Sequence, residues 1–278
     1  MPAPSAETII DDPLFLKQSL RVSGKVLGMK KIDSAANPRI KNLKKVLSGK
    51  NKDYWIIEGK RLFQEAVDSG VEIDEVFIIK EGWSKEYGRR PNAEIISIPN
   101  SLMSSLSTLE SPPGILAIAK RKAIAEPDLD HGFAAFLWAV RDPGNFGTIV
   151  RSAEATGCKF IACTPDCVDA YSSKVVRASM GSIFRVPVIT IPNPQDYLNA
   201  LRRKGISLYG FVPDEGTNLS EAKIHDPAIV LIGGETSRFP DELELDFKIK
   251  IPMKGKVESL NTGVAASVAF YQFMKAAS

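Results

Sequence analysis

Histidine and cysteine are scarce in this chain of 278 residues, and no long apolar run occurs in it. The histidines are His131 and His225, and the cysteines are Cys158, Cys163 and Cys167. Three cysteines at this spacing make neither a disulfide framework nor a zinc signature, so we expect reduced, buried thiols and no metal. So few histidines also disfavour chemistry built on a histidine base. Without a run of about 18 apolar residues, no membrane span is expected.

The N-terminal stretch lacks the features of a leader sequence. Glu7, Asp11 and Asp12 interrupt it, and it contains no long apolar core. Such a stretch is typical of neither a secretory signal nor an organelle transit peptide, so we expect a cytoplasmic protein. Residues 1–28 are predicted to be an extension, and Met29 is a plausible start for the folded part.

The composition is that of an ordinary globular protein, with 44% hydrophobic and 25% charged residues. The length suits one large domain or two ordinary ones. A formal net charge of +3 permits an anionic partner without requiring one.

Two blocks of alternating helical and strand patterns divide the chain. The first block, residues 29–122, predicts helices at 38–49, 60–69 and 101–107 and strands at 54–57, 73–79, 94–98 and 114–119. Residues 123–132 are charged, contain Pro127 and show little periodicity, which is typical of a linker between domains. The second block, residues 133–278, predicts strands at 133–140, 160–164, 185–191, 207–212, 228–232 and 247–252 and helices at 146–156, 173–183, 194–204 and 261–276. This alternation favours a mainly parallel sheet with helices on both faces, where ligands bind at the carboxyl ends of the strands.

Three loops that follow predicted strands contain the residues best suited to a ligand site. Residues 141–147 are rich in glycine and precede a helix, whose N-terminus favours an anion. Gly233-Gly234-Glu235 would let a flat ligand approach the backbone, and residues 253–261 end in a Ser-Leu-Asn cap for the last helix. Taken singly, the first two loops are equally well read as ordinary turns, and Arg151 as a surface salt-bridge residue. The full dinucleotide-binding glycine fingerprint is missing, which disfavours an oxidoreductase.

Together, the three loops resemble the SpoU/TrmH family of RNA ribose 2′-O-methyltransferases, in the SPOUT superfamily. The resemblance rests on three ordered motifs: NFGTIVRSAEATG (Asn145–Gly157), IVLIGGE (Ile229–Glu235) and IPMKGKVESLN (Ile251–Asn261). In the first block, SAANPRIKNLKKVL, IIEGKRLFQEAVDSG and SPPGILAIAK resemble the N-terminal RNA-binding domain of many members. The chain departs from the family where many relatives continue Glu-Gly-x-Gly after the second motif, since Thr236-Ser237-Arg238 follows Glu235 here.

The resemblance implies a SPOUT-type α/β fold: a mainly parallel sheet with a C-terminal trefoil knot, and a smaller N-terminal α/β domain. It implies S-adenosyl-L-methionine as cofactor and a homodimer with cofactor sites near the interface. The residues implied to hold the cofactor are Gly233, Gly234, Ile251, Met253 and Leu260. Those implied to act on the ribose are Arg151, Asn145, Glu235, Ser259 and Asn261; the role of Glu235 is the least defined.

Two surfaces leave a choice open. A basic cluster in the first block is predicted to contact RNA phosphates, although a solvated helix face has the same pattern; the candidates are Arg39, Lys41, Lys44, Lys45 and Arg61. The last predicted helix carries Val264, Val268 and Tyr271 at helical spacing, which suits either a dimer interface or the core. The favoured function is methylation of a ribose 2′-hydroxyl in ribosomal RNA. The alternatives are a non-catalytic RNA-binding relative and a transfer-RNA methylase.

Overall fold

The computed structural model describes residues 21–22, 25–26, 29–79, 87–89, 91–213, 215–234 and 239–276. Most of the predicted extension, residues 1–28, lies outside the described residues, as does Glu235. Of that extension, β1 (Arg21–Val22) pairs antiparallel with β2 (Lys25–Val26). Within the described residues, no helix is long and apolar enough to cross a membrane.

The first block forms a five-stranded sheet in the order β3-β6-β5-β7-β4. Its strands are β3 (Lys30–Lys31), β4 (Tyr54–Glu58), β5 (Ile73–Ile78), β6 (Glu94–Ser97) and β7 (Ile115–Lys120). Its helices are α1 (Pro38–Leu47), α2 (Lys60–Asp68) and α3 (Asn100–Leu106). Strands β3, β6 and β5 run parallel, whereas β7 pairs antiparallel with both β5 and β4.

Helices α1 and α2 cover opposite faces of this sheet. Alternate strand residues point to opposite faces. Ile56 and Ile118 pack with α1 and α3, whereas Ile57 and Ala117 pack with Phe63 of α2. The lysines of α1 and the N-terminus of α2 therefore do not form one basic cluster on a single face, because the sheet separates their helices.

The second block forms a seven-stranded sheet in the order β10-β9-β8-β13-β11-β14-β12, in which every described pairing is parallel. Its strands are β8 (Phe133–Trp138), β9 (Ile161–Cys163), β10 (Val188–Thr190), β11 (Ser207–Phe211), β12 (Thr217–Asn218), β13 (Ala228–Gly233) and β14 (Phe247–Lys250). Its helices are α4 (Pro143–Ala155), α5 (Ser173–Ala178), α6 (Pro194–Arg203) and α7 (Thr262–Ala276). The prediction of a mainly parallel sheet is confirmed, while the trefoil knot stays a prediction.

Two predicted helix boundaries were wrong by three residues or more, whereas the others agree to within two residues. Helix α4 begins at Pro143 rather than at residue 146, because Asp142 accepts a hydrogen bond from the backbone N–H of Asn145 at 2.7 Å and caps the helix there. The helix predicted at 173–183 ends at Ala178. Met180 (φ 52°) and Gly181 (φ 97°) adopt left-handed conformations that no α-helix can contain, and a 3-10 turn follows at Ser182–Phe184.

Residues 121–132 carry no regular secondary structure, which suits the predicted linker. The two sheets nevertheless share an apolar contact. Trp55 of β4 packs edge-on against Tyr171, with ring centroids 5.0 Å apart, and against Phe184 at 5.5 Å. We call this contact the seam, and we include in it the ion pairs of Arg177 with Glu58 and of Arg185 with Glu65, which also join the two blocks. The domain boundaries themselves stay a prediction.

Candidate functional site

The candidate site lies at the carboxyl edge of the large sheet, where β8 and β13 end side by side. Gly233 is the register partner of Trp138, and the next N–H, of Gly234, donates to the Trp138 carbonyl at 2.8 Å. Parallel strands that end together bring their following loops together. Residues 139–142 after β8 and Gly233-Gly234 at the end of β13 therefore form one rim.

The loop after β8 is held in a strained conformation by the loop after β9. Ala139 is buried and has φ 53°, a left-handed value that L-residues rarely adopt. Its N–H donates to Thr164 Oγ1 at 3.0 Å, and the N–H of Val140 donates to Cys167 Sγ at 3.2 Å. Thr164 in turn donates its hydroxyl proton to Asp166. Two side chains thus fix two consecutive amides at the rim.

The centre of the site is a hydrogen bond between two asparagines 116 residues apart in sequence. Asn261 Nδ2 donates to Asn145 Oδ1 at 2.8 Å, and Asn145 is only 6% exposed. Asn261 is also the cap of α7, because its Oδ1 accepts from the N–H groups of Gly263 at 3.0 Å and Val264 at 3.3 Å. The predicted cap function is confirmed, and one side chain joins the N-termini of two helices.

Helices α4 and α7 run side by side in the same direction. Beyond the Asn145–Asn261 bond at their N-termini, Ser152 and Ser267 share a hydrogen bond at 2.6 Å about two turns along. A side chain at Gly263 would meet Thr148 Cβ at 3.0 Å, so glycine permits the close approach between these two helices. Both helix N-termini, which favour negative charge, therefore face the same rim.

A cavity of about 90 Å³ opens between the two N-termini and the rim. It is lined by Ala139, Val140, Arg141, Asp142, Asn145, Gly234 and Thr262. Pockets for drug-sized ligands measure roughly 300–1,000 Å³, so this cavity holds only part of a nucleoside-sized group. A larger depression of about 590 Å³ lies at the amino ends of β11 and β14, where Arg202 is paired with Glu244 and Asp246. Its place at the amino edge disfavours it as the ligand site.

The predicted cofactor residues are divided between this cavity and the segment after β14. Gly234 lines the cavity, and Gly233 is the residue before Gly234 in the chain. Ile251, Met253 and Leu260 are half-buried in an irregular segment, residues 251–261, that is otherwise mostly exposed. This segment and the two glycines of the rim offer backbone donors and acceptors, which fits an adenosyl group held through main-chain contacts.

Arg151 lies on the same helix as Asn145 but nearer to the C-terminal end of that helix. It is exposed, six residues beyond Asn145 on α4, or about 9 Å along the helix axis. Within the described part of the chain, its side chain has no hydrogen-bond or ion-pair partner, and none of Asn145, Asn261 and Ser259 bonds to it. Ser259 is likewise exposed and makes no hydrogen bond to another described residue. The structure therefore joins Asn145 with Asn261 but leaves Arg151 and Ser259 open to solvent.

The predicted RNA-contacting residues differ in how available they are. Arg39 is occupied by carboxylates, since its Nη1 lies 2.8 Å from Glu75 Oε1 and 2.5 Å from Glu94 Oε2. By contrast, Lys41, Lys44 and Lys45 are exposed on α1, and Arg61 is exposed near the start of α2. These four have no acidic partner among the residues that the structure describes.

Sequence reasoning missed Asp142, Thr164 and Cys167. Asp142 carried a local signal, because an acidic residue before a proline is a common helix start. Thr164 and Cys167 carried none, since their role depends on β9 lying beside β8. A hydrogen bond from Cys163 lowers the pKa of the Cys167 thiol to about 7, and burial raises that of Cys158 to about 12. All three cysteines are free, as expected, and Cys167 is only partly buried.

Comparisons with known proteins agree with this fold. Residues 132–271 match the SpoU rRNA Methylase family, and residues 37–117 match the MRM3-like substrate binding domain. The Bacillus subtilis 23S rRNA (guanosine(2553)-2′-O)-methyltransferase is 28% identical, over 87% of this chain and 98% of the relative.

Solved structures give the same result. An rRNA methyltransferase from Sinorhizobium meliloti has the same fold, with a TM-score of 0.78 and 24% identity over 89% of this chain and 98% of that one. The SpoU methyltransferase AviRb from Streptomyces viridochromogenes, solved in complex with AdoMet, is 26% identical with a TM-score of 0.76, over 86% of this chain and 97% of that one.

The fold, the family match and the AdoMet-bound neighbour define an α/β protein of the methylase class. Within that class, the chain belongs to the SpoU rRNA Methylase family.

Proposed function

We propose that this protein transfers a methyl group from S-adenosyl-L-methionine to a ribose 2′-hydroxyl in ribosomal RNA. The observation that carries the proposal is the Asn145–Asn261 hydrogen bond, which joins two family motifs at one polar rim. The Bacillus relative is named for this reaction on 23S rRNA, and the Streptomyces structure contains AdoMet. The N-terminal match to a substrate-binding domain supports an RNA substrate.

The cofactor would be held at the carboxyl edge by Gly233, Gly234, Ile251, Met253 and Leu260, mainly through their backbones. When bound, S-adenosyl-L-methionine supplies an electrophilic methyl group on a sulfonium sulfur. Its cationic sulfur is not attracted to helix N-termini, whereas an RNA phosphate is. We therefore assign the N-terminal ends of α4 and α7 to the RNA side of the site.

The chemical step joins the ribose oxygen to the methyl carbon, breaks the sulfur–carbon bond and releases the hydroxyl proton to solvent. A guanidinium is essentially never deprotonated, so Arg151 is not the base. Its exposed charge, without an acidic partner among the described residues, instead stabilises the developing alkoxide and the neighbouring phosphate. Asn145, Asn261 and Ser259 orient the ribose. The bracing role that the family resemblance implies for Glu235 stays a prediction, because Glu235 lies outside the described residues.

We propose that the working form is a homodimer in the cytoplasm. Val264, Val268 and Tyr271 are 46%, 41% and 57% exposed along one face of α7, so they are not core residues of the protomer. Contiguous exposed apolar side chains commonly mark an interaction site. Since α7 lies beside α4, a partner on this face would sit next to Arg151 and the open segment 251–261.

The test is transfer of labelled methyl to ribosomal RNA, and separately to transfer RNA, taken from a strain that lacks this protein. Alkaline hydrolysis then leaves the dinucleotide with a 2′-O-methyl group intact and locates the target. We expect signal in ribosomal RNA. Signal in transfer RNA alone would favour the transfer-RNA alternative, and cofactor binding without transfer to either would favour a non-catalytic RNA-binding protein.

A further inference from the structure

Two arginines of the second block reach across the seam to the first block. Arg185 Nη1 lies 3.0 Å from Glu65 Oε2 and donates to Ser69 Oγ at 3.1 Å, and both partners belong to α2 or its end. The remaining nitrogens of the same guanidinium bind Glu154 of α4. Arg185 therefore connects α2 directly to α4, the helix that carries Arg151. Its partner on α4, Glu154, lies about one helical turn beyond Arg151.

Arg177 of α5 makes the second bridge, to a carboxylate that is almost fully buried. Glu58 is 3% exposed and accepts hydrogen bonds from Ser107 Oγ at 2.5 Å and Thr108 Oγ1 at 2.6 Å. Arg177 Nη1 donates to the same Thr108 oxygen at 2.7 Å and lies 3.7 Å from Glu58 Oε2. A buried charge is costly unless it is paired, so Glu58 favours the arrangement in which Arg177 stays at the seam.

The seam is coupled to α4 by packing as well as by charge. A side chain at Gly147 would meet Ala178 Cβ at 2.3 Å and Ser179 N at 2.9 Å, so α4 and α5 are in backbone contact. Between the two bridges, Trp55 fills the seam against Tyr171 and Phe184. Movement of the first block relative to α4 would break polar and apolar contacts together.

We propose that Arg185 and Arg177 are positioning residues that decide which ribose of a bound RNA is methylated. The inference rests on the proposed function. Phosphate contacts made by α1 carry little sequence information. The exposed lysines of α1 are nevertheless held at a fixed distance and direction from Arg151, because the small sheet, α2 and the Arg185 bridge connect them. When these lysines bind phosphates of an RNA, the ribose that lies at the same distance and direction from those phosphates is the one placed for methyl transfer.

The experiment reverses the charge of Arg185. Arg185→Glu places a third carboxylate beside Glu65 and Glu154 and should force the seam open. We expect kcat/KM on ribosomal RNA to fall about tenfold or more, because small misplacements of reacting groups are costly. We also expect methyl groups at additional positions, while the Kd for S-adenosyl-L-methionine stays within about twofold because the cofactor residues lie outside the seam.

Two matched variants separate positioning from damage to the fold. Arg202→Glu is the control, since Arg202 also binds two carboxylates, Glu244 and Asp246, but lies far from the seam. It should keep the normal rate and the normal site of methylation. The charge swap Arg185→Glu with Glu65→Arg restores an attractive pair across the seam and should recover most of the site selectivity, which a purely destabilising effect would not do.

The outcomes are distinct. An Arg185→Glu protein that binds the cofactor and methylates the same site at the Arg202→Glu rate overturns this inference and leaves the proposed function intact. Absence of transfer by the unaltered protein overturns the proposed function and this inference with it. If Arg185→Glu loses cofactor binding, Arg185→Gln takes its place, because it removes the bridge without adding a negative charge. Its cofactor binding and its site and rate of methylation are then compared with those of Arg202→Glu.

Discussion

At the residue scale, the side-chain amide of one residue does more than one task in this structure. Asn261 ends the segment 251–261, caps α7 and donates to Asn145, so the position of the segment and the polarity of the rim depend on the same side chain. Removal of a helix cap typically costs about 1 kcal/mol, and loss of the hydrogen bond to Asn145 Oδ1 would add to that cost.

Arg151→Ala should abolish methyl transfer and leave cofactor affinity nearly unchanged. The exposed guanidinium is the cation assigned to the developing alkoxide, whereas the cofactor residues lie on the rim and in segment 251–261. Labelled-methyl transfer and calorimetric binding of the cofactor measure the two effects separately. The matched control is Arg203→Ala, which removes an exposed arginine from a different helix, α6. Full transfer by Arg151→Ala would remove Arg151 from the mechanism.

Cys167 should be the thiol that reacts with iodoacetamide near neutral pH. Its pKa is lowered to about 7, first by the hydrogen bond from Cys163, and it is only partly buried. The alkylation rate, followed by mass spectrometry, should rise through about pH 7 and then level off. Cys158, with its pKa raised to about 12, should stay unmodified. A Cys167→Ser protein labelled at the same rate would contradict this assignment.

At the element scale, α4 is the helix on which the site depends. Its N-terminus carries Asp142 and Asn145, its middle contacts α7 and α5, and its last turns contribute Glu154 to the seam. Gly147 is what permits the contact with α5, since no side chain fits between the two helices.

Gly147→Ala should lower the free energy of unfolding by about 1–2 kcal/mol. Overpacking costs about 1–3 kcal/mol and exceeds the gain in helix propensity of up to about 1 kcal/mol. Chemical denaturation measures the loss. Gly255→Ala is the control, because no atom lies within 4 Å of the added carbon and its φ is not positive. Equal stability of the two variants would argue against the close α4–α5 contact.

Lys44→Glu combined with Lys45→Glu should weaken RNA binding and its dependence on salt. Each lysine that neutralises a phosphate adds roughly one unit to the slope of log affinity against log salt, so the slope should fall by about two. Filter binding at several salt concentrations gives the slope. The matched pair Arg203→Glu with Lys204→Glu, exposed at the C-terminal end of α6, should change neither value. A slope unaltered by the α1 pair would place the RNA surface elsewhere.

At the scale of the whole molecule, the apolar face of α7 is the feature that a single chain leaves unexplained. The opposite face of α7 packs on the sheet through Ala266, Phe270 and Phe273. The sequence left open whether Val264, Val268 and Tyr271 belong to the core or to an interface. Their exposure shows that they are not part of the core.

Val268→Glu should convert the protein to a monomer and lower its activity. A charge in the middle of an apolar contact costs several kcal/mol unless it is paired. Sedimentation velocity measures the mass. Ile79→Glu, which changes another exposed apolar residue on the first block, should leave the mass unchanged. A Val268→Glu protein with the mass of the unaltered one would exclude this face as the dimer interface.

The sequence by itself determined the family, the order of strands and helices and the parallel character of the large sheet. These features are encoded locally, by hydrophobic periodicity and by motifs such as Asn145–Gly157. The helix ends were missed where a cap or a left-handed residue decided them, as at Asp142 and Met180.

Only the tertiary structure decided which residues meet. Asn145 and Asn261 are joined because α4 and α7 pack in parallel beside the paired ends of β8 and β13. Thr164 supports Ala139 because β9 lies next to β8, and Arg39 is occupied by Glu75 and Glu94 from neighbouring strands. Such contacts depend on strand order and helix packing, which join residues far apart in the chain, so no local pattern specifies them.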